Sequence, residues 1–284
     1  CKYLLKQNDF DIFHPTYFNP YFLKELKKPF VLTIHDMTYE ALPEYFPASD
    51  PLPHYKRLLI ERADKIIAIS ETTKTDIIKY LNTDPGKIEV IHHGIDNAAS
   101  TYQTIAHLPE TYVLFVGARW GYKNFYLLAR AFKELSLKYP DLKLVLAGGG
   151  QLSFGDSEIL VRLAIVDKVI QISVTDEELN TLYKKAICFI YPSLYEGFGL
   201  PILEAFKQGC PVLLSNSSCF KEIAGNAAKY FDCNSLQSLI HETELLITNP
   251  ELRSKMAVEG YGKLTEYSME KCLNKTINLY KAMV

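Results

Sequence analysis

Short apolar runs alternate with helical patterns along this chain, and no other feature of the sequence constrains the fold as strongly. In the first third, the runs of strand length are Phe10 to His14, Phe30 to Ile34, Lys65 to Ile69 and Ile88 to His92. A helical pattern from Ser70 to Leu81 lies between the last two runs, with Ser70 as its expected N-cap. Such alternation is typical of a parallel β-sheet whose faces are covered by helices.

A second series of the same kind follows a polar stretch, 97–110, which we interpret as a linker between domains. Its expected strands are Tyr112 to Gly117, Leu142 to Ala147, Val169 to Ile172 and Ala186 to Pro192. Its expected helices are Phe125 to Tyr139, one opened by a Thr175/Glu178 capping box, one starting at Asn249-Pro250, and Ser268 to Val284. The sequence therefore predicts two doubly wound α/β units that bind ligands at the carboxyl ends of their strands.

The composition excludes several classes of protein. Apolar residues make up 48% of the 284 residues and charged residues 23%, as in ordinary folded chains rather than disordered ones. The formal net charge of −2 provides no basic field for nucleic acid. Six scattered cysteines without a C-x-x-C pair predict reduced thiols, and no apolar run approaches the ~18 residues of a membrane span. We expect a cytoplasmic protein that does not bind nucleic acid.

The segment from Tyr195 to Glu204 carries the strongest functional signal, because a glycine turn feeds directly into a short helix. Its sequence is Tyr-Glu-Gly-Phe-Gly-Leu-Pro-Ile-Leu-Glu, with Pro201 in the expected first helical turn and Gly209 after the expected end. Backbone N–H groups at a helix start suit a phosphate, and Gly197 and Gly199 would let the backbone approach the anion closely.

Two carboxylates frame this turn, Glu196 before the helix and Glu204, which we place in its first turn. Carboxylate oxygens accept hydrogen bonds only, so they suit the vicinal hydroxyls of a ribose or a hexose rather than a phosphate. Taken singly, each glutamate would also fit a surface helix whose dipole favours acidic residues at its start.

This segment resembles the E-x7-E signature of the retaining glycosyltransferases of family four, and the likeness extends over nearly the whole chain. The resemblance implies the GT-B fold, in which two Rossmann-like domains face a cleft. It implies that Glu196 contacts the hydroxyls of the donor sugar and Glu204 the ribose of the nucleotide. It also implies that backbone groups of Phe198, Gly199 and Leu200 bind the diphosphate.

Two cations follow the expected strand Tyr112 to Gly117. Arg119 offers a bidentate fork and Lys123 a point charge, which together could neutralise a diphosphate at the carboxyl end of a strand. The residues alone also allow two solvated loop cations. In the family, the arginine and lysine after this strand bind the donor diphosphate, and the resemblance assigns those roles to Arg119 and Lys123.

His35 and Asp36 end the expected strand Phe30 to Ile34. The resemblance implies that this pair lines the sugar and acceptor site, although a lone histidine is also common in structural roles. For the nucleotide base the resemblance points to Val174, while Ser173 stands where the family often has an aromatic residue. No His, Asp or Glu set has metal-ligand spacing, so we expect no metal and no cofactor besides the nucleotide-sugar co-substrate.

The resemblance thus predicts a retaining, metal-independent hexosyltransferase of polysaccharide biosynthesis. GDP-mannose is the first expected donor and UDP-glucose the next, with a glycan or lipid-linked acceptor. A peripheral contact with the inner face of the membrane stays open. Two alternatives remain at this point, a GT-B sugar-nucleotide epimerase or phosphorylase, and a non-catalytic nucleotide-binding remnant.

The first domain is expected to be incomplete. In the GT-B pattern the strand at Asp9 to His14 is usually the fourth, so we expect the chain to be a piece of a longer protein. The expected domains are a partial acceptor-side domain at 1–96, a donor domain at 110–267, and a terminal helix at 268–284 that packs back toward the first domain.

Overall fold

The computed structural model describes residues 1–96 and 98–284, without the side chain of Lys2. Asn97, the first residue of the predicted linker, lies outside the described residues. The described chain divides into two compact units. The first unit consists of Cys1–Gly94, Glu196–Phe198 and Tyr267–Val284, and the second of Ile95–Tyr195 and Gly199–Glu266.

The strands are short, apolar and mostly buried. They are β1 (Val31–Ile34), β2 (Lys65–Ala68), β3 (Ile88–Val90), β4 (Tyr112–Val116), β5 (Lys143–Ala147), β6 (Val169–Ile172), β7 (Phe189–Tyr191), β8 (Val212–Ser215) and β9 (Lys229–Phe231). Among the described residues, the first unit holds a sheet in the order β1-β2-β3 and the second a sheet in the order β6-β5-β4-β7-β8-β9. Every strand pair in these two sheets is parallel, which confirms the predicted α/β fold class.

Helices connect and cover these strands. They are α1 (Lys2–Gln7), α2 (Thr38–Ala41), α3 (Leu52–Arg62), α4 (Glu71–Leu81), α5 (Phe125–Lys138), α6 (Phe154–Arg162), α7 (Asp176–Lys185), α8 (Leu200–Lys207), α9 (Phe220–Ala224), α10 (Leu236–Thr248), α11 (Pro250–Lys263) and α12 (Met269–Lys281). Ser70 caps α4 and the Thr175/Glu178 capping box opens α7, as the sequence predicts. Within the described part of the chain, no helix is long and apolar enough to cross a bilayer.

The core of the second unit lies where α5 packs on the central strands. Buried side chains of α5 include Leu128, Phe132 and Leu135, and they meet apolar residues of β4 and β5. The central strands are nearly continuous apolar runs because both of their faces are covered, as in other parallel sheets. Burial of each such leucine or phenylalanine contributes about 1.5–3 kcal/mol. This packing holds the strand ends, and the loops that follow them, in fixed positions.

Two expected strands are shorter than the sequence suggests. The expected strand Phe10 to His14 is reduced to one parallel bridge between Phe13 and Phe30. Pro15 follows directly and has no N–H group to continue the ladder. In the second unit, β7 covers only Phe189–Tyr191 of the expected run Ala186 to Pro192.

The described part of the predicted linker is hydrogen-bonded to helices of the second unit. The Tyr102 hydroxyl donates to Gln208 Oε1 at 2.8 Å, and Thr181 Oγ1 donates to the carbonyl oxygen of Gln103 at 2.7 Å. These partners lie at the end of α8 and in α7. Although it lacks regular secondary structure, this stretch is therefore tied to a surface rather than solvated along its length.

Two glycines of α11 should respond in opposite ways to substitution by alanine. A Cβ at Gly260 would lie 2.4 Å from Cδ1 of Phe206, whose side chain is 1% exposed and has no room to move. We expect Gly260→Ala to lower the free energy of unfolding by about 1–3 kcal/mol through overpacking. At Gly262 a Cβ would meet nothing within 4 Å. Gly262→Ala should raise it by up to about 1 kcal/mol through helix propensity.

Urea unfolding of both variants beside the unchanged protein measures the difference. Equal effects of the two substitutions would contradict the close packing of α11 against α8.

Candidate active site

The loops that carry the predicted donor residues leave neighbouring strands of the second unit. β4 pairs in parallel with β7, with Leu114 opposite Phe189. The carboxyl ends of both strands therefore lie at the same edge of the sheet, where open α/β sheets bind ligands. The backbone N–H of Leu194, after β7, donates to the carbonyl oxygen of Tyr122, after β4, at 2.8 Å. The structure thus brings the Lys123 loop beside the loop that opens α8.

The start of α8 is shaped by a glycine in the left-handed region. Gly199 is the N-cap, with φ of 95° and no side-chain cap, and Leu200 and Pro201 follow as the first helical residues. A Cβ at Gly199 would lie 2.9 Å from Cδ1 of Ile202. Gly199 therefore has no side chain to occupy the space in front of the N-terminus of α8.

Lys123 is held at this edge by aromatic rings. Its ammonium lies 4.9 Å from the ring centroid of Tyr122 and 5.9 Å from that of Tyr191, the last residue of β7. Attraction between a cation and an aromatic face contributes about 0.5–1 kcal/mol when the groups are exposed. These rings keep a positive charge at the carboxyl end of β7 without neutralising it.

Arg119 is buried and hydrogen-bonded within its own unit, and its predicted contact with the donor diphosphate stays a prediction. The residue is 6% exposed, and its Nε donates to Asp156 Oδ2 at 3.1 Å. Its two terminal nitrogens donate to the carbonyl oxygens of Gly148, Gly149, Gly150 and Gln151 at 2.8–3.3 Å.

The loop that Arg119 holds follows β5 and turns through three glycines. Gly148, Gly149 and Gly150 have φ of 71°, 66° and 76°, a region that other residues rarely adopt. A Cβ at Gly149 would lie 2.3 Å from the carbonyl oxygen of Gly117, so the loop packs backbone to backbone on the end of β4. The guanidinium of Arg119 thus fixes the shape of a loop that lies next to the Lys123 loop along the same sheet edge.

Removing the Arg119 guanidinium should destabilise the protein more than removing the whole ion pair. The side chains of Arg119 and Asp156 are 3% and 12% exposed, so Arg119→Met would leave an uncompensated carboxylate. We expect this variant to lose about 3–5 kcal/mol of unfolding free energy. The Arg119→Met/Asp156→Asn double variant should lose less, because the introduced amide is neutral and its oxygen could still accept from the backbone N–H of Ser153.

Denaturant unfolding of Arg119→Met, Asp156→Asn and the double variant gives the comparison. A double variant as unstable as the sum of the two single ones would show that Arg119 and Asp156 act independently.

Glu204 lies in the second turn of α8, not in the first turn where the sequence placed it, because the helix begins at Leu200. Its Oε2 accepts a hydrogen bond from the Tyr183 hydroxyl at 3.1 Å. Both residues line a pocket of about 210 Å³ in the second unit, together with Asp176, Asn180 and Lys207. Burial raises the pKa of Glu204 above its ordinary value, while the Tyr183 hydroxyl lowers it and Asp176 raises it further. The carboxylate thus faces a small polar cavity between α7 and α8.

Val174 lies in the loop between β6 and α7, where it is half-buried. The residues that line the Glu204 pocket are Ile95 and residues of α7 and α8 with the residue that follows α8, and Val174 is not among them. Its predicted contact with a nucleotide base stays a prediction.

Stability should fall with rising pH through the titration of Glu204. The raised pKa means that the folded state keeps a proton that the unfolded state loses above the ordinary value of 4.5. The unfolding free energy of the unchanged protein therefore decreases as pH rises from 4.5 to the pKa of the folded state. Glu204→Gln lacks this contribution, so its stability relative to the unchanged protein should increase over the same window.

Urea unfolding at about pH 4 and about pH 7 measures this slope. Tyr183→Phe is the matched control, because loss of the hydroxyl that favours the carboxylate should make the slope steeper. A stability difference between Glu204→Gln and the unchanged protein that is the same at both pH values would contradict the raised pKa.

In the first unit, His35 follows β1 and His93 follows β3. Their rings stack at a centroid distance of 5.7 Å and an angle of 16°. Burial lowers the pKa of His93 to about 4, with further contributions from His35 and His92. Partial burial also lowers the pKa of His35, against an opposing effect of Asp36. Both rings are therefore neutral at neutral pH and can donate and accept hydrogen bonds.

Asp36 is engaged in its own turn. Its Oδ1 accepts from the backbone N–H of Thr38 at 2.9 Å, and its carbonyl oxygen accepts from Lys56 Nζ at 3.1 Å. One carboxylate oxygen is thus used in local structure, and its predicted contact with substrate stays a prediction.

Sequence reasoning missed Lys56, although its spacing carried a signal. Lys56 is 1% exposed and pairs with Glu40 Oε2 at 2.9 Å, so a buried ion pair supports the turn after His35. In α3 it lies three and four residues before the buried Leu59 and Ile60, on the apolar face of the helix. A lysine in that phase is expected to be buried with a partner.

Gly197 has a packing role that the sequence did not show, and its predicted contact with the diphosphate stays a prediction. It is buried in the first unit, and a Cβ there would lie 1.7 Å from the carbonyl oxygen of His35. The space that a side chain would occupy is therefore taken by the backbone that follows β1. Glu196 precedes it and is half-buried. Phe198 follows, with its ring 5.3 Å from that of His93.

Across residues 1–96 and 98–284, no three His, Cys, Asp or Glu side chains are grouped so that they could hold a metal ion.

Two protein families match the sequence in succession. Residues 1–99 match Glycosyltransferase Family 4, and residues 103–263 match Glycosyl transferases group 1. With the two parallel-sheet units described above, these matches define a glycosyltransferase of the GT-B class. The chain belongs to the group 1 glycosyl transferases, with a first part of the family 4 type.

The chain is similar to bacterial mannosyltransferases. It is 29% identical to the O-antigen chain mannosyltransferase B of Escherichia coli, over 96% of this chain and 74% of that protein. It is 32% identical to the O-antigen chain mannosyltransferase RfbU of Salmonella typhimurium, over 76% of this chain and 61% of that protein. The chain thus spans about three quarters and three fifths of the lengths of these relatives.

Solved structures share the fold at low sequence identity. Sucrose-phosphate synthase from Thermosynechococcus elongatus superposes with a TM-score of 0.82 at 19% identity, over 99% of this chain and 76% of that one. Anabaena Alr3699/HepE in complex with UDP-glucose gives a TM-score of 0.82 at 16% identity, over 99% of this chain and 82% of that one. These similarities confirm the predicted GT-B fold.

Proposed function

We propose that this chain belongs to a retaining hexosyltransferase that transfers mannose from GDP-mannose to a glycan or lipid-linked acceptor. One observation carries the proposal. The Lys123 loop and the start of α8 leave the neighbouring parallel strands β4 and β7 and are tied by the Leu194–Tyr122 hydrogen bond. A cation and a helix N-terminus at one sheet edge suit the diphosphate of a nucleotide sugar.

The relatives support the choice of donor. Two mannosyltransferases are similar to the chain over most of its length, which favours a mannosyl donor. Structures with the same fold were solved with UDP and with UDP-glucose, which supports a nucleotide sugar in general and makes UDP-glucose the next donor. A cytoplasmic reaction that needs no metal ion completes the proposal.

The second unit would stabilise the leaving group. As the bond between the sugar C1 and the diphosphate oxygen breaks, negative charge grows on the diphosphate. The ammonium of Lys123 and the N–H groups of α8 are already in place to stabilise that charge, and such fixed donors are often worth several kcal/mol in the transition state. Glu204 would bind the ribose hydroxyls, since its carboxylate faces a polar pocket.

The first unit would act on the sugar and the acceptor. Glu196 would accept hydrogen bonds from the sugar hydroxyls, and His35 would contact the sugar as a neutral ring, in keeping with its lowered pKa. The acceptor oxygen forms its bond to C1 on the face that the diphosphate leaves. The acceptor proton passes to the departing phosphate oxygen, so configuration is retained and no enzymic nucleophile is needed.

Nucleoside diphosphate should stabilise the full-length protein through Lys123. GDP at about 100 times its Kd should add about 2.7 kcal/mol to the unfolding free energy, with UDP and ADP less effective. Lys123→Ala should remove most of this gain. Lys133→Ala, a lysine of α5 in the same unit, should keep it. Thermal unfolding with each nucleotide gives the measurement.

An equal gain in Lys123→Ala and Lys133→Ala would remove Lys123 from the site. The reaction itself is tested by GDP release from GDP-mannose with octyl α-mannoside as acceptor probe, followed by NMR of the product. A β-linked product would contradict retention, and nucleotide binding without transfer to any glycan or lipid-linked acceptor would favour a non-catalytic remnant.

A further inference from the structure

Two buried hydroxyls hold the carbonyl group of Gly197. Ser70 Oγ donates to this oxygen at 2.7 Å, and Thr73 Oγ1 lies 3.3 Å from it. Both residues are 0% exposed, and they precede Gly197 by 127 and 124 positions in the sequence. A buried carbonyl group that lacks a donor is costly, so the two hydroxyls fix where this carbonyl can lie.

The opposite side of the same residue is fixed by β1. The hypothetical Cβ of Gly197 would lie 1.7 Å from the carbonyl oxygen of His35 and 3.0 Å from Cβ of Asp36. Gly197 is not among the glycines with positive φ, so its backbone conformation would accept other residues. Glycine is required here by close packing alone. The ring of Phe198 adds a third contact, at 5.7 Å from Tyr267.

We propose that Ser70 and Thr73 are positioning residues of the transfer reaction, because they seat Gly197 and thereby place Glu196 for the sugar. Glu196 is joined to Gly197 by a single planar peptide bond, so a shift of the Gly197 carbonyl moves the Glu196 backbone as well. The inference rests on the proposed function, in which Glu196 binds sugar hydroxyls. It assigns a role to two residues that touch neither the donor nor the acceptor.

The role predicts a defined kinetic signature. In the proposed function the nucleotide is bound by Lys123 and α8, which belong to the second unit, whereas Gly197 and its two hydroxyl donors belong to the first. Glu196 serves the reacting sugar. Loss of the hydroxyl contacts to the Gly197 carbonyl should therefore lower kcat and leave the affinity for GDP unchanged. This is expected for an interaction that matters mainly in the transition state.

Ser70 is also the N-cap of α4, and the experiment has to distinguish loss of this cap from loss of the contact to Gly197. Its Oγ also accepts from the backbone N–H of Thr73 at 3.0 Å, which caps α4. Ser235→Ala is the matched control, because Ser235 caps α10 through the backbone N–H of Ser238 at 3.2 Å. Ser235→Ala removes an N-cap from the second unit and leaves the hydroxyl contacts to Gly197 intact.

Thr73 gives an independent pair of variants. Thr73→Val keeps the branched shape and the Ser70 cap and removes only the hydroxyl. Thr73→Ser keeps the hydroxyl and should restore function.

The experiment measures GDP release from GDP-mannose by the full-length protein with octyl α-mannoside as acceptor. We expect Ser70→Ala to lower kcat about tenfold or more, and Thr73→Val to lower it by a smaller factor. Thr73→Ser and Ser235→Ala should stay within about twofold of the unchanged protein, and the Kd for GDP should do so in every variant. A kcat of Ser70→Ala equal to that of Ser235→Ala, or a Kd that weakens as much as kcat falls, would overturn the proposal.

Hydrogen exchange tests whether Ser70 and Thr73 hold the Gly197 backbone, independently of the proposed reaction. Amides of residues 196–198, which belong to the first unit, should exchange faster in Ser70→Ala and Thr73→Val and at the original rate in Ser235→Ala. Unchanged exchange in Ser70→Ala would overturn the proposal that the Ser70 hydroxyl fixes the Gly197 backbone. If the unchanged protein transfers no sugar but exchange is still faster in Ser70→Ala, the hydroxyl contacts to Gly197 would be supported and the proposed function refuted.

Discussion

Parallel pairing of short, doubly covered strands is the constraint on which the functional part of this molecule depends. In the second unit, β4 pairs with both β5 and β7, so three consecutive loops emerge at one edge of the sheet. The apolar strands contribute the burial energy, and the loops at their ends carry the polar groups. The loops can be rich in glycine because the strands beneath them provide the rigidity. The same logic places His35, Ser70 and His93 at one edge of the first unit.

Most polar groups at these edges are satisfied by backbone partners. Arg119 contacts four carbonyl groups and one carboxylate, Ser70 contacts a carbonyl 127 residues away, and Asp36 caps its own turn. These groups hold loops in place. Two charged side chains in the second unit have aromatic neighbours, with Lys123 beside the rings of Tyr122 and Tyr191 and Glu204 beside Tyr183 in its pocket. A site of this kind binds through placed backbone dipoles as much as through side-chain charge.

The sequence predicted the fold class and the elements with strong local signals. The capping box at Thr175, the N-cap at Ser70 and the proline-led α11 all depend on residues within four positions of each other. The expected strand at Phe10 to His14 did not form as such, because its pairing depends on neighbours that a local pattern does not contain.

The roles of single site residues were harder to predict, because they depend on contacts between distant parts of the chain. Gly197 was interpreted as an opening for an anion, yet it packs against the carbonyl of His35, far away in the sequence. Arg119 was interpreted as a bidentate donor to a diphosphate, and the sequence did not show that it also holds the loop after β5. Charge and spacing identify such residues as important. Only the three-dimensional arrangement shows what they touch.

The contacts of Arg119 also determine the direction of the peptide dipoles in the glycine loop. In a trans peptide the N–H group points opposite to the carbonyl group of the preceding residue. Because the carbonyls of Gly148, Gly149, Gly150 and Gln151 all turn toward one guanidinium, the N–H groups that follow them point away from it. The loop therefore has a buried formal charge on one side and a row of partial positive charges, those of the peptide N–H groups, on the other. That row has no proton to lose in the physiological range, so its electrostatic attraction is independent of pH.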